Sequence, residues 1–113
     1  MKLPYKIKSF IPPEKINEYL LSPTHEKGKH KAAFFKRIGF NTTNADLFKK
    51  SLLIIAFKNE VVSIKEITHK EKYYGKLYVI EGEIGLTSIV KVKTVWKILH
   101  NKRKPSLVTV TPV

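Results

Sequence analysis

The chain has 113 residues, 42% of them hydrophobic and 11% aromatic, enough to bury one modest core and too rich in apolar groups for a disordered segment. It carries 22 Lys plus Arg against nine Asp plus Glu, a formal net charge of +13 that repels itself on folding and that a polyanionic partner relieves. With no cysteine there is neither a disulfide scaffold nor a thiolate metal site, the longest apolar run (Leu52 to Phe57) is too short to cross a bilayer, and Met1 to Lys6 lacks a signal-peptide core. These features predict one domain over residues 1–113, cytoplasmic and without membrane contact.

In chain order, Pro12-Pro13-Glu14 opens a helix, because proline is tolerated in a first turn and an acid suits its positive end. Ile16, Tyr19 and Leu20 follow at i, i+3, i+4, which predicts a short amphipathic helix over 13–21, ended by Ser22-Pro23. A second helix is expected from about Gly28 to Ile38, closed by Gly39. Asn44 is expected to cap a third, with Asp46 in its first turn, running to about Lys58. Ser51–Phe57 is apolar around most of its circumference, predicting the central, best-buried helix, although Ile54-Ile55 also suits a strand.

From Val61 the period drops to two. Residues 61–68, 76–84, 88–99 and 106–111 are rich in Val, Ile, Thr and Tyr, punctuated at Tyr74-Gly75, Gly82 to Gly85, and Asn101 to Pro105. Connections this short join antiparallel neighbours. The pattern is α+β: three N-terminal helices (about 12–58) followed by a four-stranded antiparallel β-meander (about 61–112). In the third strand Val90, Val92, Thr94, Trp96 and Ile98 share a core face, whereas Lys91, Lys93 and Lys97 share the opposite, wet face.

Candidate chemistry concentrates in Pro23 to Phe35. His25 and His30 with Lys27, Lys29 and Lys31 surround Gly28 just before an apolar helical face, a grouping able to grip phosphate and move protons. His25 either carries protons or caps the helix it precedes. At 100° per residue Lys31 falls within the stripe of Phe34, Phe35 and Ile38, so it either snorkels out or stays partly desolvated as a positioned cation. Gly28 permits close backbone approach to an anion, although the rest of a Walker loop is missing. Lys102, Arg103 and Lys104 form a second basic cluster suited to a phosphodiester backbone, and Trp96 is either core or a stacking surface. Without Cys, a His-Glu-x-x-His motif or paired carboxylates on one strand, no metal or cofactor is expected.

Taken together, Tyr19-Leu20-Leu21, Ser22-Pro23-Thr24-His25, Gly28-x-x-Lys31-Ala32, Phe35, Gly39-Phe40, Tyr78-Val79, Trp96 and Pro105-x-Leu107-Val108-Thr109 resemble a family of small bacterial domains, the DUF6883 type, found alone and as C-terminal modules of polymorphic toxins. The resemblance spans roughly residues 11–112. It implies membership of the broad group that includes barnase, the EndoU nucleases, the colicin tRNases and RelE, which are metal-independent ribonucleases often encoded beside an inhibitor. Carried over, His25, Lys31, Trp96 and Thr109 match the family's polar or aromatic motif positions. Glu26 stands where the family commonly has proline and Ser106 where it commonly has arginine, a charge that Arg103 or Lys104 could supply.

The function expected is therefore a toxin-like, metal-independent endoribonuclease, the toxin component of a toxin–antitoxin pair, with RNA and an acidic antitoxin or inhibitor as partners. His25, Lys31 and Thr109 are the catalytic candidates. Lys27, Lys29, Lys93, Lys97, Lys102, Arg103 and Lys104 are the nucleic-acid-binding candidates, and Trp96 a stacking candidate. The alternatives are a non-catalytic basic module that binds nucleic acid or a partner, and a protein whose lysine content reflects genome composition alone.

Overall fold

The computed structural model describes residues 1–113. Helices come first and strands second. α1 starts as an α-turn at Pro13–Lys15 and continues as a π-wound Ile16–Leu20, where the Leu21 amide donates to the Ile16 carbonyl at 2.8 Å. π turns are rare and tend to mark functional positions, and this one carries Tyr19. α2 spans Lys29–Arg37 and ends at Gly39, whose φ of +106° is the left-handed geometry that glycine adopts freely. α3 spans Ala45–Lys58, preceded by a single 3-10 turn at Thr42–Asn44.

The expected cap of α3 is displaced by one turn. Asn41, not Asn44, receives the Thr43 amide on its side chain, while the Asn44 side chain reaches back to the Asn41 amide and the Gly39 carbonyl. The two asparagines thus lock the α2–α3 corner. Ile54-Ile55 is helical, since α3 supplies a full set of i→i−4 bonds that an isolated strand there could not find.

β1 (Val61–His69), β2 (Lys72–Ile84), β3 (Val90–Leu99) and β4 (Ser106–Pro112) form one antiparallel sheet in sequence order. The first hairpin turns at Lys70-Glu71, both with positive φ, and not at Tyr74-Gly75 as the punctuation suggested. Gly75 (φ +151°) lies inside β2 beside a break in the β1–β2 register, and a Cβ there would overlap the Ile98 carbonyl. It is a bulge glycine.

The helices cover one sheet face. Phe48 meets Phe35 and Phe40 at a tilt, with centroids 4.8 and 5.0 Å away, and in the same core lie Leu20, Leu52, Tyr78, Ile80, Val92, Trp96, Leu107 and Val110, each apolar side chain contributing roughly 1.5–3 kcal/mol by leaving water. Trp96 is 0% exposed, which removes it as a stacking surface. Its indole N–H donates to Thr94 Oγ1 at 2.9 Å, and Thr94 donates to the Ile80 carbonyl at 2.7 Å, so the two polar groups buried in the core satisfy each other.

The helical layer stops short of β1, which is exposed on both faces, and α3 is buried only along Phe48, Leu52, Ile55 and Ala56. Ile54 (53% exposed) and Phe57 (46%) face out, so α3, although it buries more side chains than α1 or α2, is not enclosed all round. No helix is long and apolar enough to cross a membrane. Thr94→Val leaves the Trp96 N–H unpaired and should lower stability by about 1–3 kcal/mol in urea unfolding, whereas Thr94→Ser should retain most of it.

Candidate active site at the β4 edge

The loop between α1 and α2 is built by its own side chains. Ser22, buried, accepts the Thr24 and His25 amides at 3.4 and 3.2 Å. His25 Nδ1 then accepts the Lys27 and Gly28 amides at 3.0 and 2.9 Å, so the imidazole caps the start of α2. An Nδ1 used as an acceptor leaves the ring proton on Nε2, a hydrogen-bond donor. The two amides that could have cradled a phosphate are thereby occupied. Gly28 is needed for another reason: a Cβ there would overlap the Tyr19 carbonyl, so the close approach is to α1 and not to an anion.

Tyr19 is the hub. Its ring meets His25 edge-on with centroids 5.1 Å apart, and its hydroxyl lies 3.4 Å from Thr109 Oγ1 on β4. One residue on, the Val110 carbonyl accepts Lys31 Nζ at 3.0 Å. Lys31 thus neither lies free in water nor stays sealed in the helical stripe. It reaches the sheet edge and uses one N–H to hold β4, leaving two N–H groups uncommitted. His25, Tyr19, Thr109 and Lys31 form one continuous arc over the β4 edge.

Beside His25 opens a shallow cavity of about 460 Å³, lined by Glu14, Lys15, Glu18, Tyr19, His25 and Lys27. The glutamates are four residues apart on α1 and lie on its exposed side. While Nδ1 is engaged, they are the lining groups able to accept a proton. Sequence reasoning missed Tyr19 and this pair. By helical spacing Tyr19 reads as core, and Glu14 and Glu18, four residues apart, read only as a solvated helix face.

The cationic candidates disperse. Lys27 lines the His25 cavity, but Lys29 lines another, with Lys36 and Asn41 on the opposite flank of α2. On the open sheet face Lys93 sits across from Glu81 and Lys91 from Glu83, and Lys91 Nζ is 3.4 Å from Glu81, so that end of the row is partly neutralised. Lys97, opposite Leu77, faces no carboxylate and groups with Lys102 and Lys104; Arg103 is exposed nearby. Nowhere do three or more His, Cys, Asp or Glu side chains gather as they would to hold a metal.

An α+β chain with this charge and an open cationic sheet face has relatives. Its sequence matches, over residues 2–113, the family described as domain of unknown function DUF6883, and the chain belongs to that family. Its fold is similar to one chain of a contact-dependent growth inhibition toxin–immunity protein complex from Klebsiella pneumoniae 342, with a TM-score of 0.64 over 96% of each chain and 11% sequence identity. No curated protein matches the sequence.

His25→Ala removes the α2 cap and should cost about 1 kcal/mol of stability in thermal or urea unfolding, while His25→Asn, whose amide oxygen can accept the same N–H groups, should restore it.

Proposed function

We propose that the chain is a toxin-like, metal-independent endoribonuclease of the barnase and RelE-like group, acting on RNA in the cytoplasm and held in check by a protein inhibitor. The observation that carries this reading is the arc itself: an imidazole N–H, two hydroxyls and an ammonium group aligned over one strand edge, next to a sheet face bearing Lys93 and Lys97. The net charge of +13 favours a polyanionic substrate. The likeness to a chain of a toxin–immunity complex supports the toxin reading at the level of fold, and a strongly cationic chain suits the member of such a pair that attacks nucleic acid.

Cleavage without metal uses the 2′-oxygen as nucleophile on the adjacent phosphorus. The P–O5′ bond breaks, giving a 2′,3′-cyclic phosphate and a 5′-hydroxyl. A carboxylate of Glu14 or Glu18 takes the 2′-hydroxyl proton, and the leaving oxygen regains one from water. Charge builds on the non-bridging oxygens, where the two free N–H groups of Lys31 and the His25 Nε2–H donate. An imidazole held through Nδ1 by helix-start amides offers its other nitrogen as a hydrogen-bond donor to that charge. The Tyr19 and Thr109 hydroxyls complete the donor set.

Cleavage of total RNA by the purified chain, followed on denaturing gels, tests the assignment. His25→Asn and Lys31→Met should each lower the rate about 10²–10³-fold, as loss of one charge-stabilising donor does, with His25→Asn still folded. One of Glu14→Gln and Glu18→Gln should lower it by about 10²-fold or more. Parent-like rates in both donor variants would end the assignment.

A second reading, a module that binds a partner without catalysis, is favoured by one observation. Ile7 (84% exposed), Ile54 and Phe57 line, with Leu53, a groove of about 400 Å³ rimmed by Lys6, Lys50 and Lys58. An apolar centre inside a cationic rim suits an acidic protein, the expected chemistry of the inhibitor. With an acidic protein encoded beside this chain as ligand, Ile54→Glu should weaken the complex at least about tenfold in a calorimetric titration, through an unpaired carboxylate at its apolar centre. RNA cleavage should be unchanged in Ile54→Glu if the chain is the nuclease, and absent from parent and variant alike under the second reading.

A further inference from the structure

Trp96 is in the core, yet the open sheet face still carries an aromatic ring, and it comes from the N-terminal arm. Phe10 is joined to β4 on both sides of its peptide unit: its amide donates to the Pro105 carbonyl at 3.0 Å, and its carbonyl accepts the Leu107 amide at 3.2 Å. A parallel bridge to Ser106 fixes the register. The backbone is therefore held, while the side chain remains 36% exposed.

Around this ring lies a pocket of about 310 Å³, lined by Phe10, Lys97, Leu99, Lys102, Lys104 and Ser106. Its floor is an aromatic face and a leucine, and its rim is three ammonium groups. No carboxylate lines it, whereas the far end of the same face has Glu81 and Glu83 opposite its lysines. Lys104 Nζ lies 4.4 Å from the ring centroid. That contact is weak at an exposed site, and the long lysine stem lets the amine swing aside and meet a phosphate.

We infer that this pocket is a base-stacking subsite for single-stranded RNA, in which a nucleobase lies on Phe10 and its flanking phosphates meet Lys97, Lys102 and Lys104. This rests on the nuclease reading and deepens it by naming the substrate class and the residue that grips it. A bare phosphate would need the amines but not the aromatic floor. A nucleotide needs both, and the pocket is at the small end of ligand-sized cavities. In a duplex, base faces are covered by their neighbours, so only an unstacked base can use such a floor.

The position suits the arc. Lys97 pairs with Ser106 and Val95 with Thr109, two β3 residues apart on one face, so the pocket lies about 7 Å along the strand from Thr109. A base seated on Phe10 would thus hold the chain one or two nucleotides from the scissile phosphate.

The test is binding, at fixed salt, of three labelled probes: a 2′-O-methyl oligoribonucleotide, which lacks the attacking hydroxyl and cannot be cut, its abasic counterpart, and inorganic polyphosphate. Phe10→Leu keeps both backbone bonds and an apolar side chain but removes the π face. It should weaken the base-bearing probe about tenfold and leave the other two unchanged. In Phe10→Trp, emission should be quenched by the base-bearing probe alone, over a constant background from the buried Trp96. Unchanged affinity of Phe10→Leu for the base-bearing probe, or equal loss for all three, would overturn the subsite. Because the probe is uncleavable, the outcome is separate from catalysis. RNA cut at the parent's KM by Phe10→Leu would remove the subsite and keep the nuclease. Base-dependent binding lost in a chain that cuts nothing would do the reverse.

Discussion

The start of α2 lies so close to the π-wound end of α1 that Gly28 has no room for a side chain against the Tyr19 carbonyl. Much follows from this approach. It fixes Tyr19 between the loop and β4, so that the ring makes an edge contact with His25 and its hydroxyl meets Thr109. It also aims α2 so that Lys31 crosses to the Val110 carbonyl. With β4 at the edge of the sheet, the arm at Phe10 pairs with only the start of its outer side, and farther along a lysine amine satisfies the Val110 carbonyl. The residues proposed for chemistry are thus also the residues that dock the helical layer onto the sheet edge.

Electrostatics divides the open face. At one end, Glu83 and Glu81 stand across from Lys91 and Lys93 and partly neutralise them, with Lys91 ion-paired to Glu81. At the other end, Lys97, Lys102 and Lys104 surround an aromatic ring with no carboxylate among them. A polyanion drawn in by the overall charge would be held most strongly where the protein has not already neutralised itself. That end adjoins the β4 edge, and so the arc.

The helical layer protects one face of β2, β3 and β4 and leaves the outer side of α3 bare. Ile54 and Phe57 continue an apolar helix beyond what the sheet can cover, because a helix packed on a sheet buries only one stripe. This apolar surface with its lysine rim is the one the second reading assigns to an acidic protein.

Local pattern determined a good deal. The change of period at Val61, the three helical segments, the antiparallel order and the inward face of β3 all follow from spacings of two and of three to four residues, which depend on neighbours in sequence. Glu14 with Glu18, and His25 beside Gly28, were legible as residues but not as a site. Tertiary structure alone decided what each group touches. It seated Trp96 on Thr94, turned the Gly75 punctuation into a bulge, engaged His25 Nδ1 with two amides, and brought Tyr19 to Thr109 across ninety residues of chain. It also buried Trp96 and set the Phe10 ring of the N-terminal arm among Lys97, Lys102 and Lys104. Contacts between segments far apart in sequence depend on how whole elements dock, and no spacing within one element encodes that.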